Sequence, residues 1–345
     1  MTKQRIEYLD SLKGFAIFLV IWGHCIQYLK KDIDLFQNTV FEFIYSFHMP
    51  LFFIISGFFF FSSLKLNLKD FLSKKFLQLL LPCLVWAIIY VGIQLTEDVI
   101  LGRTIDSNVY LMKIINPLNL PFWFLKELFL SYILAYLSYR IFKRDWIVFL
   151  LITVLLLFAP FSSLYYQRFL WPFFILGIYI KKNYSWIEKK STKILPASII
   201  VFAILLYFWK GEYTIYKTGF PPVFDIRTET INFNFNDILI ALNRWLIGIV
   251  GSFSFFLLFK TIYKKNRFFS FLEKIGKLTL GIYIIQVFIL EKELSRIVNF
   301  HFINEQLFNW IVATATALLI LIVCYYIVKW INKNKYLALF LLGTR

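Results

Sequence analysis

Cysteine and histidine are scarce in this chain, three of each in 345 residues. Cys25, Cys83 and Cys324 all fall inside apolar runs, which argues against a disulfide framework or a metal cluster and reads them as small buried hydrophobes. Charge is thin as well, at 17% of residues, and acidic charge thinner: 20 Asp+Glu stand against 37 Lys+Arg. No repeat, low-complexity tract or soluble appendage is visible. The first apolar run also lacks the small-residue cleavage site of a secretory signal, so it is expected to remain in the mature protein. Chemistry must therefore come from what the chain does have, which is overwhelmingly apolar.

Hydrophobic residues make up 60% and aromatics 21% of the sequence, and the mean hydropathy is +0.70. A soluble core of that composition would leave apolar surface with nowhere to go, whereas a bilayer accepts helices of about 20 apolar residues each. The expectation is an all-α polytopic membrane protein, one domain over 1–345 with no fused soluble domain. About ten spans fit, near 12–30, 40–62, 77–95, 121–140, 146–160, 165–181, 194–210, 238–260, 277–291 and 307–329.

The segments on the N-terminal side of such a topology hold 25 Lys+Arg against 6 Asp+Glu, and the opposite loops 9 against 12. Basic loops stay on the cytoplasmic side, so both termini are expected there. The net charge of +17 thus follows topology. It is not gathered with stacking aromatics into a patch, so no nucleic-acid partner is implied. Two outer segments are long, roughly 96–120 and 211–237. The second, "GEYTIYKTGFPPVFDIRTETINFNFN", suits either a sugar-contacting loop or an irregular connection with interfacial aromatics.

A titratable group at bilayer depth costs a few kcal/mol, which makes Lys13, His24, Glu42, His48, Lys126, Glu127, Arg168 and Arg244 candidates for function. Lys13 and His24 are eleven residues apart, and at about 100° per residue they share a helix face. The histidine lies roughly 16 Å deeper than the lysine. His48, entering from the other side, reaches a similar depth, so two imidazoles are expected to meet in mid-membrane, where either can exchange a proton near neutrality. Plainer roles stand beside these: a histidine satisfied by a carbonyl, Lys13 as an inner anchor paired with Asp10, Arg168 and Arg244 as outer anchors, and a Lys126–Glu127 pair that only orients its helix. His301 reads as a solvated loop residue.

The sequence resembles the acyltransferase-3 family of bacterial membrane acyltransferases. The resemblance rests on Asp10, Lys13 and His24 in the first span and on "FHMPLFFIISG" from Phe47 to Gly57. It extends to "WFL" from Trp123, "RFLWPFFILG" from Arg168 to Gly177, and "IGKLTLGIYIIQ" from Ile275 to Gln286. It implies transfer of an acyl group, usually acetyl, from cytoplasmic acyl-coenzyme A to a hydroxyl of a surface polysaccharide or its lipid-linked precursor. Acetyl-CoA is then a donor substrate, and no tightly bound cofactor is implied.

Within that resemblance His24, His48 and Glu127 are the catalytic candidates. Lys13, Lys75 and Arg168 are those for the coenzyme, and Trp123, Ser56 and Glu42 those for substrate, with no metal. The chain departs from the pattern at Lys75 and Gln78, where relatives carry two arginines, so the bidentate fork is missing there. It departs again at Gln286, where relatives often carry histidine. The implied place is the bacterial cytoplasmic membrane, with the bilayer, acyl-CoA and a glycan as partners and a homo-oligomer compatible. A proton-coupled transporter of a sugar or lipid-linked sugar is the alternative, although no pair of Gly/Pro-broken helices in matching halves supports it. A longer acyl donor, or a small lipid acceptor, is a variant of the first reading.

Overall fold

The computed structural model describes residues 6–103, 107–115, 122–142, 145–159, 164–218, 224–225, 230–231 and 235–344. It is built of helices: α1 (Glu7–Leu29), α2 (Thr39–Phe58), α3 (Leu68–Lys75), α4 (Leu81–Ile100), α5 (Ser107–Ile115), α6 (Trp123–Ile141), α7 (Asp145–Phe158), α8 (Tyr165–Lys182) and α9 (Tyr184–Tyr207). These are followed by α10 (Ile215–Thr218), α11 (Phe235–Ile262), α12 (Arg267–Gly276), α13 (Thr279–Gln286), α14 (Ser295–Ile297), α15 (Glu305–Leu307), α16 (Ala313–Ile331) and α17 (Lys335–Leu342). Among the described residues the extended pairing is one antiparallel ladder, Phe224 opposite Ile231 and Asp225 opposite Thr230.

Local chemistry sets several helix starts. Asn38, Asn67, Asn266 and Asn334 precede α2, α3, α12 and α17, and each side chain accepts a hydrogen bond from a first-turn backbone N–H. Such a cap satisfies a donor that the helix itself cannot. Among the described residues three stretches are π-helical: Phe76–Leu80 between α3 and α4, Val287–Leu294 between α13 and α14, and Phe308–Val312 between α15 and α16. At the last of these the Asn309 carbonyl accepts the Trp22 indole N–H at 3.0 Å, which ties α1 to the final hairpin.

Among the described residues six helical runs are long and apolar enough to cross a membrane: Glu7–Leu29, Thr39–Ser62, Leu68–Ile100, Tyr184–Tyr207, Phe235–Ile262 and Glu305–Ile331. The other four expected spans are helical but fall short of that measure for identifiable reasons. Helix α6 carries Lys126, Glu127 and Arg140, and α8 carries Arg168, Lys181 and Lys182. The run from α13 carries Glu291, Lys292 and Glu293 in its π-helical stretch. The apolar run in α7, Ile147–Phe158, is short.

Helix α1 occupies the centre, packed against α2, α11, α12, α13 and α16, while α2 packs on α8 and α11. Few residues in the most apolar stretch of α9 are buried, and only about a quarter of those in the run that contains α4. Their aliphatic faces are the surface a bilayer would cover. Backbones come into contact where α2 crosses α8 and where α12 crosses α1. A Cβ on Gly57 would sit 1.9 Å from the Phe174 carbonyl oxygen, and one on Gly276 would sit 1.7 Å from that of Asp10. Glycine is required at both, in the manner of small-residue helix packing. The first crossing locks α2 to α8, and the second seats the amphipathic α12 against the start of α1.

Candidate active site

Asp10 and Lys13 open the site. One turn of α1 separates them, and Lys13 Nζ lies 2.6 Å from Asp10 Oδ1. Asp10 is buried, and Ser11 beside it donates to the Phe269 carbonyl of α12 at 3.2 Å, so the turn carrying the pair is fixed. Lys13 keeps 23% of its side chain exposed and forms the rim of a cavity of about 160 Å³ between α1, α2, α6 and α13. Along α1 the wall continues through Ile17 and Val20, and along α13 through Thr279 and Tyr283. The steps 13, 17, 20 and 24 are the spacing of one helix face, so the cavity follows the stripe that ends at His24.

At that end two oxygens receive the imidazole. His24 Nδ1 is 3.1 Å from Gln286 Oε1 and 3.2 Å from Glu291 Oε1. Tyr28, one turn above His24, donates its hydroxyl to Glu291 Oε2 at 3.3 Å, and its ring meets the imidazole edge-on at 5.8 Å. Because both neighbours of Nδ1 are acceptors, the neutral ring is assigned its proton there, and the lone pair is left on Nε2. A ring held in one tautomer by a carboxylate is the arrangement of a general base.

Gln286 and Glu291 reach one atom because of the π-helical stretch. In an α-helix five steps of about 100° would leave them roughly 140° apart. In a turn closed by i→i+5 bonds, residues five apart stand nearly above one another. Glu291 is therefore a site residue that the sequence pattern did not single out, and the only signal for Gln286 was its departure from a motif.

The remaining candidates divide into those that share the cavity and those that do not. Ser56 and Tyr132 line it, and Lys75, which is buried, places Nζ 3.3 Å from the centre of the Tyr132 ring. Lys13, Lys75 and Ser56 thus gather at one end of the bundle. His48 is buried and held by its own helix, Nδ1 at 2.7 Å from the Ile44 carbonyl, with the Tyr45 ring 4.7 Å away. No hydrogen bond or ring contact joins it to His24 among the described residues. Tyr45, whose hydroxyl donates to Gln27 at 2.9 Å, is the group of α2 that reaches toward α1 at this level.

Arg168, expected beside the coenzyme, is turned to backbone carbonyls. It is buried, Nε donates to the Leu156 carbonyl at 2.8 Å, and Nη2 donates to that of Ala159, so it caps the end of α7. It also lies nine residues, about 14 Å, along α8 from Gly177, the residue that packs on Ile54. Glu127 is buried beside Lys126 Nζ at 3.2 Å. With the Gln167 amide turned so that donors meet acceptors, its nitrogen lies 2.8 Å from Glu127 Oε2 and its oxygen 2.7 Å from Ser131 Oγ. Those partners belong to α6 and α8, away from His24.

Trp123 stacks on Tyr166 at 4.0 Å, and Glu42 sits half-buried in the first turn of α2. Arg244 binds the carbonyls of Glu212 and Tyr213 and so fixes the segment that leads to Tyr216, whose ring lies 5.5 Å from that of Tyr45. Part of the segment 211–237, for which sugar contact was one expectation, falls on residues outside the described set, as does part of 96–120. Among the described residues no group of three or more His, Cys, Asp or Glu side chains could hold a metal ion.

The family model described as an acyltransferase domain matches residues 6–329. Nodulation protein NolL of Mesorhizobium japonicum is 29% identical over 192 residues, 54% of this chain and 50% of the relative. Nodulation protein NolL of Sinorhizobium fredii is 25% identical over 199 residues, 56% of this chain and 53% of the relative. The chain thus spans about half the length of the curated relatives it matches. No solved structure matches it.

Proposed function

Since the chain belongs to the acyltransferase-3 family, we propose that it moves an acyl group, acetyl in the simplest case, from cytoplasmic acyl-coenzyme A to a hydroxyl of a cell-surface polysaccharide or its lipid-linked precursor. The observation that carries this reading is His24. It stands at the end of a stripe that begins at the Lys13 rim of a cavity, with Nδ1 engaged by Glu291 and Gln286 and Nε2 left to react.

In this reading ten spans cross the bacterial cytoplasmic membrane, both termini are cytoplasmic, and residues 1–345 act as one domain, alone or as a homo-oligomer. Lys13 and Lys75 supply positive charge at the cytoplasmic mouth, suited to the phosphates of the coenzyme. The cavity behind Lys13 is lined mainly by apolar side chains, so a thioester that enters it leaves most water behind, which limits its hydrolysis.

His24 Nε2 takes the proton of the acceptor hydroxyl as its oxygen bonds to the thioester carbon. The carbon–sulfur bond then breaks, and the imidazolium returns the proton to the departing thiolate. Glu291 steadies the imidazolium between those steps. Trp123, with Tyr166, Tyr216 and Tyr45 about it, offers the flat aromatic surfaces that suit a sugar ring. Glu42 lies at the same end of α2 as that cluster, whereas Ser56 belongs with the donor. His48, Glu127 and Arg168 act in this reading by holding helices rather than by touching substrate.

The test is the O-acetyl content of surface polysaccharide in cells carrying His24→Ala, with membrane levels of the protein matched. Loss of the ester is expected, and an unchanged content would refute the role given to His24.

A further inference from the structure

We propose that Gln286 is a second catalytic residue, its side-chain amide nitrogen holding the acyl carbonyl oxygen while His24 acts. The inference rests on the acyl-transfer reading above. Gln286 is fully buried as the last residue of α13. Its Oε1 is already committed, 3.1 Å from His24 Nδ1. Its Nε2 is buried and has no hydrogen-bond partner among the described residues.

A buried amide that donates nothing is an exception in folded proteins and calls for an explanation, such as an absent ligand. Its position supplies one. Thr279 and Tyr283, seven and three residues earlier, line the cavity that starts at Lys13, and the steps 279, 283 and 286 keep to one helix face. Gln286 and His24 each lie one turn beyond the last lining residues of their helices, Tyr283 and Val20, on the same faces, and the two side chains meet there.

The residue type fits this double duty. A neutral imidazole, which relatives often carry here, offers one donor and one acceptor. An amide offers an acceptor to His24 and two N–H donors on a separate atom a single carbon away. When the acceptor oxygen bonds to the thioester carbon, the carbonyl π pair moves onto its oxygen, and that oxyanion is what Nε2–H would hold. The pair returns to re-form the carbonyl as the carbon–sulfur bond breaks, and the thiolate takes the proton from His24. A donor fixed in advance at the place where charge develops lowers the barrier without tightening ground-state binding.

The experiment uses the full chain in proteoliposomes, with radiolabelled acetyl-CoA as donor and the surface-polysaccharide fraction of the producing cells as acceptor. Alkali-labile label is read as the product. Gln286→Met keeps length and bulk but has no N–H, and Gln286→Glu keeps an oxygen for His24 while replacing the nitrogen. Both are expected to lose about a hundredfold or more in kcat, the usual effect of removing one such donor, with KM for acetyl-CoA within about twofold of the parent.

A Gln286→Met protein whose kcat stays within about threefold of the parent overturns the proposal. So does one whose KM rises while kcat is unchanged, since that marks ordinary binding. Parent protein that transfers no label overturns the acyl-transfer reading itself, and this inference with it.

Discussion

Glu291 Oε1 stands 3.2 Å from His24 Nδ1, although the two residues come from opposite ends of the chain. The contact orients an intramembrane histidine through its Nδ1, as the proposed general-base role needs. It also predicts an asymmetry: Glu291→Gln preserves shape and a hydrogen-bond acceptor but removes the charge that steadies the imidazolium. Turnover should fall by about a hundredfold or more, with acetyl-CoA affinity little changed. Steady-state kinetics in proteoliposomes separate the two quantities, and full activity in the Gln variant would show that the carboxylate is not needed.

Lys13 sits at the rim of the cavity between α1, α2, α6 and α13, with Asp10 as its partner. Lys13→Ala should raise KM for acetyl-CoA about ten- to a hundredfold, in line with the loss of one charge-assisted contact of roughly 1.5–3 kcal/mol. Lys13→Arg, which keeps the charge, should stay close to the parent. Equal losses in both variants would mean that the lysine's shape matters more than its charge.

Arg168 provides the opposite expectation. Its guanidinium is turned to the last carbonyls of α7, so Arg168→Ala leaves those buried acceptors unpaired, at a cost of about 1–3 kcal/mol. Thermal unfolding in detergent should move to lower temperature while binding of acetyl-CoA to the surviving folded protein is unchanged. A selective loss of coenzyme affinity at unaltered stability would restore the role its motif suggests.

The loop after α1 carries a pH-dependent tie. Lys30 is buried with Nζ 3.0 Å from Asp32 Oδ2 and 3.2 Å from the His301 carbonyl. The hydrogen bond from Lys30 holds the Asp32 carboxyl below its ordinary value. A carboxyl depressed in the folded state stabilises it above the ordinary carboxylate range, and the contribution disappears as pH falls through the depressed value. Asp32→Asn should therefore unfold at lower temperature than the parent at neutral pH, and the gap should close in acid. A gap that persists in acid would assign the effect to something other than the ion pair.

Much of the class and part of the site were legible in the residues alone. Composition compelled membrane helices, and helical period alone aligned Lys13 with His24, since both follow from chemistry and geometry along one helix. Charged residues inside α6 and α8 were also visible, but their partners were not, because a partner is set by which helix comes to lie alongside.

The sequence by itself determined that the chain is built from apolar helices and that one of them carries a lysine and a histidine on a single face. Only the tertiary structure decided what that face meets. Glu291 joins His24 because a π-helical stretch rotates it over Gln286, Arg168 turns to backbone carbonyls because α7 stops beside it, and His48 bonds a carbonyl of its own helix. Spacing along one helix is fixed by the covalent chain, whereas contact between helices depends on crossings such as Gly57 on Phe174, which exist only once the bundle has packed.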